Sequence, residues 1–387
     1  MDNYKIKSID EGLCRIEFPE FDKVSSKAPV FYNPHMELNR DLSILAIQTF
    51  QKRQNRNLNI CDLFGGSGIR GVRYKKEIDG IDKVCINDIS ETANFYEAHN
   101  IKINDLSDVE VHQHDASMFL RLNAGEFDVI DIDPFGTPAP FIDSAGYCSR
   151  RDSLLCVTAT DTSALCGTYK EPCIRKYNAK PYKSEYCHET GIRILIGFVA
   201  LTLSKYSKFV TPLMSHSTEH YMRTYLEVNK GSKKTDESLK NIGYISHCKH
   251  CLYRTTSDGL ATPLSDKCPV CGEKLIHAGP LWLGQIHDKE FVSEMIREIQ
   301  EKKINTQKEA LKLLSQCASE ANSPATFYDV HAICKSMKIS APKLDLIFEK
   351  LHQLGFNASK THFNPLGIKT SATINDVRKI LLDINKD

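Results

Sequence analysis

The sequence predicts an α/β protein in which a parallel sheet carries helices on both faces, followed by a smaller α+β domain. Short apolar, β-branched runs alternate with helical patterns from about residue 57 to residue 228. This alternation is typical of βαβ units. A glycine-rich turn follows the first run at residues 65–71. After a charged stretch at residues 229–243, paired cysteines indicate a separate unit.

Composition restricts the class of protein. With 387 residues, 41% of them hydrophobic, the chain is long enough for two or three domains. The net charge of +1 means that any polyanion must be held by a local basic patch. The first ten residues do not resemble a signal peptide, and the apolar helical stretch 191–203 is short for a membrane span and contains Arg193. We therefore expect a soluble cytoplasmic protein with no membrane partner, whose fourteen cysteines are reduced.

Six short apolar runs are the expected strands of the sheet. In chain order they are residues 57–64, 83–90, 109–117, 126–133, 153–161 and 208–217. Residues 91–104 have a helical pattern between the second and third strands. Residues 220–228 follow the sixth strand closely, so they are expected to pair with it antiparallel. The charged stretch 229–243 contains glycine and predicts a hairpin tip or a linker.

The turn after the first strand has the spacing of a nucleotide-binding loop. In DLFGGSGIRG, Gly66, Gly68 and Gly71 fit G-x-G-x-x-G, which allows a tight turn and close approach of a ligand to the backbone. Asp88 ends the second strand about 20 residues later, where a carboxylate accepts hydrogen bonds from a ribose. A dinucleotide and S-adenosylmethionine both suit this geometry. A glycine turn that binds nothing is the structural alternative.

The third strand ends in HDAS, residues 114–117. Asp115 there can accept a hydrogen bond from an adenine amino group, and Ala116 can offer its backbone N–H. The alternative is an ordinary helix N-cap formed by Asp115 or Ser117. The ligand-binding interpretation gains support because ligands of such sheets bind at the carboxyl ends of the strands.

The fourth strand leads into Asp133, Pro134 and Phe135, a combination suited to methylation of an amino group. An exocyclic amine on a base is a poor nucleophile because its lone pair is delocalised into the ring. A carboxylate and a backbone carbonyl can accept hydrogen bonds from its two N–H groups and help to remove a proton. Proline stiffens the turn, and the aromatic ring offers a stacking face. We therefore predict that these three residues are catalytic.

The other residues of this region have structural interpretations. Asp131 and Asp143 are expected to be N-capping aspartates at a proline-rich strand exit. A methyltransferase acting on carbon would usually need a nucleophilic cysteine, and Cys173 has no supporting motif around it. We interpret Cys173 as a structural residue.

Four cysteines form the strongest metal pattern in the chain. Cys248 and Cys251 are separated by two residues, as are Cys268 and Cys271, with sixteen residues between the pairs. This spacing is typical of tetrahedral zinc. All four ligand positions are filled by protein, so a structural Zn²⁺ is expected.

The last segment is expected to be helical and basic. Residues 289–300 and 343–356 have helical periodicity, and Gly355 is a plausible C-cap. Residues 323–356 suggest two helices in a winged-helix-like arrangement, followed by an extended stretch at 361–370. The lysines expected to form a basic surface there are Lys335, Lys338, Lys343, Lys350, Lys360 and Lys369.

With these motifs in view, the chain resembles the archaeal branch of the tRNA (guanine-N2)-dimethyltransferase family along nearly its whole length. The family implies a class I, Rossmann-like S-adenosylmethionine-dependent methyltransferase that transfers one or two methyl groups to N2 of guanosine 26 in tRNA. The most specific stretches are FYNPHMELNRDLS, DLFGGSGIRG, DIDPFGTPAPFIDSA, SEYCHETGIRILIG, SHSTEHYMRTYLEV and THFNPLGIKTSA.

The resemblance also implies roles for single residues. Arg40 would contact the carboxylate of the cofactor, and Arg70 would stand near the same end of the pocket. Asp88 would hold the ribose. Asp115 and Ala116 would hold the adenine. The matching catalytic carboxylate is that of Asp133.

Alternative functions remain open at the sequence level. The same fold could methylate an adenine N6 or a protein amide, the glycine loop alone would suit an NAD-dependent oxidoreductase, and a zinc-containing RNA-binding module is another class. We expect residues 1–240 to form the catalytic domain, with 1–56 as an extension contributing to the pocket. Residues 241–387 are expected to carry the zinc and a tRNA-binding surface. The oligomeric state stays open, with a monomer as the default.

Overall fold

The computed structural model describes residues 5–20, 28 and 30–386. The described chain begins with an antiparallel hairpin of β1 (Ile6–Glu11) and β2 (Cys14–Pro19), followed by a 3-10 turn and helix α1 (Glu37–Gln54). Residues 39–50 of α1 are all buried. They are buried because α1 packs against helices from both ends of the chain, so nearly every face of it is covered.

A seven-stranded sheet forms the centre of the molecule. Its first five strands are parallel and fall where the apolar runs predict them. The strands are β3 (Leu58–Asp62), β4 (Ile81–Asn87), β5 (Val109–His112), β6 (Val129–Ile132), β7 (Ser153–Ala159), β8 (Lys208–Thr218) and β9 (Tyr221–Lys230). Their order is β5-β4-β3-β6-β7-β9-β8. The order reverses on either side of β3, which places a crevice at the carboxyl ends of β3 and β6.

Helices cover both faces of this sheet. They are α2 (Ile69–Glu77), α3 (Glu91–Ile103), α4 (Ala116–Leu122), α5 (Ala139–Cys148), α6 (Thr162–Leu165), α7 (Lys170–Tyr177) and α8 (Cys187–Ser204). Helix α8 is the one described helix that is long and apolar enough to cross a membrane, but 67% of it is buried inside the protein. Arg193 within α8 is paired with Glu189 one turn earlier, which compensates its buried charge.

Two local expectations need correction. The last two strands do pair antiparallel as predicted, but β9 lies between β7 and β8 and is antiparallel to both. The stretch expected to be a hairpin tip or linker contains helix α9 (Ser232–Leu239). Thr235 of α9 is buried, and α9 packs against α8 and β8, so tertiary contacts give helical structure to a sequence that looks like a loop.

Elements of the second half of the chain pack against elements of the first half. Strands β10 (Ile242–Cys248), β11 (Arg254–Asp258) and β12 (Leu275–Trp282) form an antiparallel sheet, and β12 packs on α8. Helices α10 (Lys289–Glu298) and α11 (Gln307–Glu320) then pack on α1. A single apolar core runs from the central sheet into β10 and β12. The core continues across residue 240, and the division predicted there stays a prediction.

The last segment is a small α+β unit with its own apolar core. Its elements are β13 (Tyr328–Asp329), α12 (Val330–Met337), α13 (Leu344–Gln353), β14 (Ala358–Lys360), β15 (Gly367–Thr370) and α14 (Ile374–Ile384). The two predicted helices are present, but the sequence pattern did not identify α14. Lys369 is only 1% exposed and contacts Glu189, so it cannot belong to the basic surface predicted for it.

Candidate active site

A cavity of about 530 Å³ opens at the crevice beside β3. Its walls come from the loops after β3, β4 and β6, together with residues of the N-terminal extension such as Phe31, Tyr32 and Arg40. The carboxyl ends of three parallel strands thus converge on one space. The predicted site residues Gly66, Arg70, Asp88, Asp133, Pro134 and Phe135 line it.

The first part of the glycine loop forms one wall of this cavity, through Gly65 and Gly66, whereas the predicted cofactor-binding residue Gly68 does not line it. Gly66 and Gly68 have φ angles of +57° and +74°, in the left-handed region where a side chain would be strained. The backbone N–H of Gly66 donates to Asp88 Oδ2 at 3.0 Å, and the N–H of Ser90 donates to Asp88 Oδ1 at 2.9 Å. These bonds fix Asp88 at the end of β4. Each carboxylate oxygen still has acceptor capacity for a ligand hydroxyl.

Close packing explains the next glycine of the motif. A Cβ on Gly71 would lie 2.4 Å from Ile86 Cγ1, so α2 can approach β4 only if this residue has no side chain. The N–H of Gly71 donates to Asp62 Oδ2 at 3.0 Å. Asp62 Oδ1 is buried and has no partner among the described residues. Burial, helped by nearby Asp131, raises the pKa of Asp62 to about 7.

Asp133 is held from one side by an arginine. Arg70 donates from Nε to Asp133 Oδ2 at 2.8 Å and also from Nη2 to the same oxygen. Arg70 is itself fixed by Asn39, whose Oδ1 accepts from Nη2 at 2.6 Å. Asp133 Oδ1 has no hydrogen-bonding partner in the described part of the chain. One oxygen is therefore positioned by the protein and the other is available to a substrate.

Beneath Asp133 lies a buried ion-pair network that the sequence pattern did not reveal. Arg223 of β9 donates to Asp131 Oδ1 at 2.6 Å and to Oδ2 at 3.0 Å, and the Tyr74 hydroxyl donates to Asp131 as well. Burial alone would raise the pKa of Asp131, but Arg223 and Arg70 outweigh burial and lower it. Arg223, a charged residue in the middle of the predicted strand HYMRTYLEV, was the available signal.

The structural interpretation of two aspartates is wrong. Asp131 belongs to β6 and pairs with Arg223, so it does not cap a helix. Asp143 lies within α5 and forms surface ion pairs with Arg121 and Lys205. The sequence pattern suggested caps because prolines often mark helix starts, whereas the actual partners are distant in sequence.

Aromatic rings line the mouth of the cavity. Phe135 is 55% exposed, and its ring meets that of Phe31 edge to face at a centroid distance of 4.4 Å. Exposed aromatic rings commonly serve as stacking faces for bases. Pro134 restricts the backbone of the turn between Asp133 and Phe135.

Two predicted cofactor-binding residues, Arg40 and Asp115, have other partners in this structure. Arg40 lines the cavity, but it donates to both oxygens of Glu11 at 2.6 Å each and to the Asn33 carbonyl at 3.2 Å. Asp115 caps α4 by accepting from the N–H of Met118 at 3.0 Å. Neither Asp115 nor Ala116 lines the cavity. Their roles toward a cofactor stay predictions.

The four predicted metal ligands come together at the end of β10. Their Sγ atoms all lie within 4.8 Å of one another, and the pairs Cys248–Cys271 and Cys251–Cys268 are each 3.5 Å apart. A tetrahedral zinc with Zn–S bonds of about 2.3 Å requires sulfur separations of about 3.7 Å. The arrangement therefore fits a four-coordinate metal with no open position.

Comparison with known families agrees with this geometry. The profile of a family described as N2,N2-dimethylguanosine tRNA methyltransferase matches residues 12–382. A protein from Methanobrevibacter smithii named tRNA (guanine(26)-N(2))-dimethyltransferase is 74% identical over 381 residues, which cover 98% of each chain. A protein of the same name from Methanothermobacter thermautotrophicus is 50% identical over 374 residues, 97% of this chain and 98% of its own.

A solved structure is similar over the same length. It is described as a complex of Trm1 from Pyrococcus horikoshii with S-adenosyl-L-methionine. The TM-score is 0.87 at 32% sequence identity, and the match covers 97% of this chain and 99% of the other. The similarity thus includes the N-terminal extension, the central sheet and the C-terminal unit together.

Proposed function

The chain belongs to the N2,N2-dimethylguanosine tRNA methyltransferase family, and on that basis we propose that it transfers one or two methyl groups from S-adenosylmethionine to N2 of guanosine 26 in tRNA. The observation that carries the proposal is the position of Asp133. Its carboxylate is fixed by Arg70 on one oxygen, and it lines the same cavity as the glycine loop and Asp88.

The cavity suits an adenosine-containing cofactor. Asp88 would hold the ribose diol, because both of its oxygens are oriented by backbone N–H groups and retain acceptor capacity. Gly66 lets the cofactor approach the main chain, since a Cβ there would already meet the Phe31 carbonyl at 3.2 Å. When bound, the cofactor supplies an electrophilic methyl group on a sulfonium.

Asp133 activates the amine that receives the methyl group. Oδ1 accepts a hydrogen bond from one N–H of the guanine amino group, which localises the nitrogen lone pair. The carboxylate then accepts the proton that the nitrogen releases after methylation. Arg70 prevents Asp133 from rotating away, and this matters because small misplacements cost rate heavily.

Phe135 and Phe31 hold the target base. Guanine must leave its stack in tRNA to reach the cavity, and the exposed Phe135 ring replaces part of the lost stacking. Edge contact with Phe31 restricts the orientation of the Phe135 ring. The two rings and Pro134 together present the amino group to Asp133.

Other residues would bind the zinc ion, the tRNA, and the adenine and carboxylate groups of the cofactor. The four-cysteine cluster holds a structural Zn²⁺, since its spacing and geometry match a closed tetrahedral site. The partner is tRNA, and the C-terminal unit supplies part of its binding surface. We place the protein in the cytoplasm. Asp115 and Ala116 would contact the adenine, and Arg40 the carboxylate of the cofactor, once their present partners rearrange.

Mass spectrometry of nucleosides tests the reaction. Unmodified tRNA carrying guanosine 26 is incubated with S-adenosylmethionine and wild type, Asp133→Ala or Asp143→Ala. We expect N2-methyl- or N2,N2-dimethylguanosine from wild type and from Asp143→Ala, and a loss of about 10³-fold in rate for Asp133→Ala. Methylation of an adenine amine or a protein amide instead would move the function to another acceptor.

A further inference from the structure

A second group of metal-binding side chains lies outside the active site and outside the four-cysteine cluster. His287 precedes α10, Cys317 and Glu320 are one turn apart on α11, and His362 lies between β14 and β15. Their donor atoms all lie within 4.8 Å of one another. The cluster therefore joins three separate parts of the second half of the chain at one buried point.

One separation already suits a shared metal ion, and a second requires a small movement. Cys317 Sγ is 3.7 Å from His362 Nδ1. This distance lies within the range of about 3.3–3.7 Å that separates the ligand atoms of a tetrahedral zinc. His362 Nδ1 and Glu320 Oε1 are 2.5 Å apart and hydrogen-bonded. These two atoms would move apart by about 1 Å, the difference from a tetrahedral edge, to ligate one ion.

His287 supplies an independent observation. The residue is 4% exposed, and neither of its ring nitrogens has a hydrogen-bonding partner in the described chain. Buried polar groups are nearly always paired, so a histidine with both nitrogens unpaired indicates a partner other than these side chains. Its ring centroid lies 5.6 Å from that of His362, which leaves room for an ion between two imidazoles.

The charges around the cluster are balanced before a metal binds. Two buried carboxylates, Glu189 and Glu320, are matched by two buried cations, Lys369 and Arg193. An added Zn²⁺ would be partly neutralised by the Cys317 thiolate, whose proton leaves when the metal binds. Two neutral imidazoles, one thiolate and one carboxylate are a donor set that favours zinc.

We propose that His287, Cys317, Glu320 and His362 form a second zinc site, which fastens the C-terminal unit to the body of the protein. Helix α11 packs on α1 and on β14, and Lys369 of β15 bonds Glu189 of α8. The metal lies where these contacts meet. This site is independent of the methyl-transfer reaction, because none of its residues lines the active-site cavity.

Metal content measured by multi-element mass spectrometry tests the site. Full-length wild type, Cys317→Ala, His287→Asn and Cys334→Ala are saturated with Zn²⁺ and freed of excess metal. Cys334 is the matched control, because it is an equally buried helical cysteine outside both clusters. We expect Cys317→Ala and His287→Asn each to hold one zinc fewer per chain than Cys334→Ala, and wild type to equal Cys334→Ala.

The zinc content of wild type decides the test even if a variant at the second site fails to fold. Two zinc ions per chain in wild type, one of them retained by Cys268→Ser, support the proposal. Equal zinc in Cys317→Ala and Cys334→Ala would overturn it. So would a wild type holding a single zinc that Cys268→Ser removes, because the four-cysteine cluster would then account for all the metal.

Discussion

At the level of single residues, the proposed chemistry depends on the contact between Arg70 and Asp133. Arg70 uses two of its donors on one oxygen of Asp133 and another interaction on Asn39. A planar guanidinium can hold such a fork, whereas an ammonium is a point donor without fixed directions. Arg70 is thus a positioning residue in this structure, although the family resemblance implies a place beside the cofactor.

Arg70→Lys separates these two roles. We expect single-turnover methyl transfer to fall by about 10–100-fold, because Asp133 loses its oriented partner. The affinity for S-adenosylmethionine, measured by calorimetry, should change little. Arg121→Lys on the exposed side of α4 is the control and should leave both quantities unchanged. A large loss of cofactor affinity with an unchanged rate would assign Arg70 to the cofactor instead.

Glu97 predicts a pH dependence of stability. The residue is fully buried beneath the glycine loop, and burial raises its pKa to about 9, with Asp88 adding to the effect and Asn94 opposing it. Between the ordinary pKa of 4.5 and about 9, the folded state holds a proton that the unfolded chain releases. This group therefore lowers the free energy of unfolding as the pH rises through that window.

Glu97→Gln removes this dependence because an amide stays neutral. We expect the free energy of unfolding of the variant, relative to that of wild type, to be larger at about pH 8.5 than at about pH 5. The difference is on the order of 2 kcal/mol. Thermal unfolding at both pH values measures the gain. Glu126→Gln, an exposed residue, should show no such trend. A constant difference between Glu97→Gln and wild type would contradict the assignment.

Among the secondary-structure elements, the turn from β3 into α2 sets the shape of the cofactor wall. Gly66 supplies the left-handed backbone, and Gly71 lets α2 lie against β4. The bond from Gly71 N–H to Asp62 fixes the first turn of the helix to the end of β3. One short motif thus determines both a backbone conformation and a packing distance.

Gly71→Ala tests the packing distance. Because the new Cβ would lie 2.4 Å from Ile86 Cγ1, we expect a loss in free energy of unfolding of about 1–3 kcal/mol. Ile86→Ala removes the obstructing atoms, so the double variant should lose less than the sum of the single losses. Chemical denaturation of all four proteins measures the coupling. Additive losses would mean that another neighbour excludes the side chain.

Across the molecule as a whole, the exposed lysines of the C-terminal unit are the residues on which the predicted tRNA-binding surface depends. Lys335, Lys338, Lys343 and Lys360 are exposed, and Lys350 is half-buried. The net charge of +1 describes the whole chain and does not exclude a local basic surface. Phosphate binding depends on local positive potential, so a nearly neutral protein can still bind tRNA through one face.

Replacing the four exposed lysines by alanine tests this surface. We expect weaker tRNA binding and a shallower dependence of log K on log salt, by about 0.7–0.9 for each phosphate that is no longer neutralised. Fluorescence titration at several salt concentrations gives the slope. The matched control replaces exposed lysines outside this unit, namely Lys233, Lys234, Lys303 and Lys308. The same weakening in both variants would show that only total charge matters.

Local sequence pattern was sufficient to predict several features of the fold and the site. The first five strands, the glycine turn, the position of Asp88 and Asp133 at the cavity, and the four-cysteine cluster were all predictable. Each is a short run with a physical requirement of its own, such as burial on both faces, a positive φ or a fixed ligand spacing. The family resemblance added the substrate, which no single motif specifies.

Only the folded structure shows which charged groups form ion pairs. Arg70 and Asp133 are 63 positions apart, and Arg223 and Asp131 are 92 positions apart. Hydrophobic periodicity predicts which face of an element packs on the core. It does not predict which distant element packs against that face. For the same reason the sequence pattern placed Lys369 on the surface, although folding buries it against Glu189. Long-range packing, which local pattern does not encode, determines these pairs.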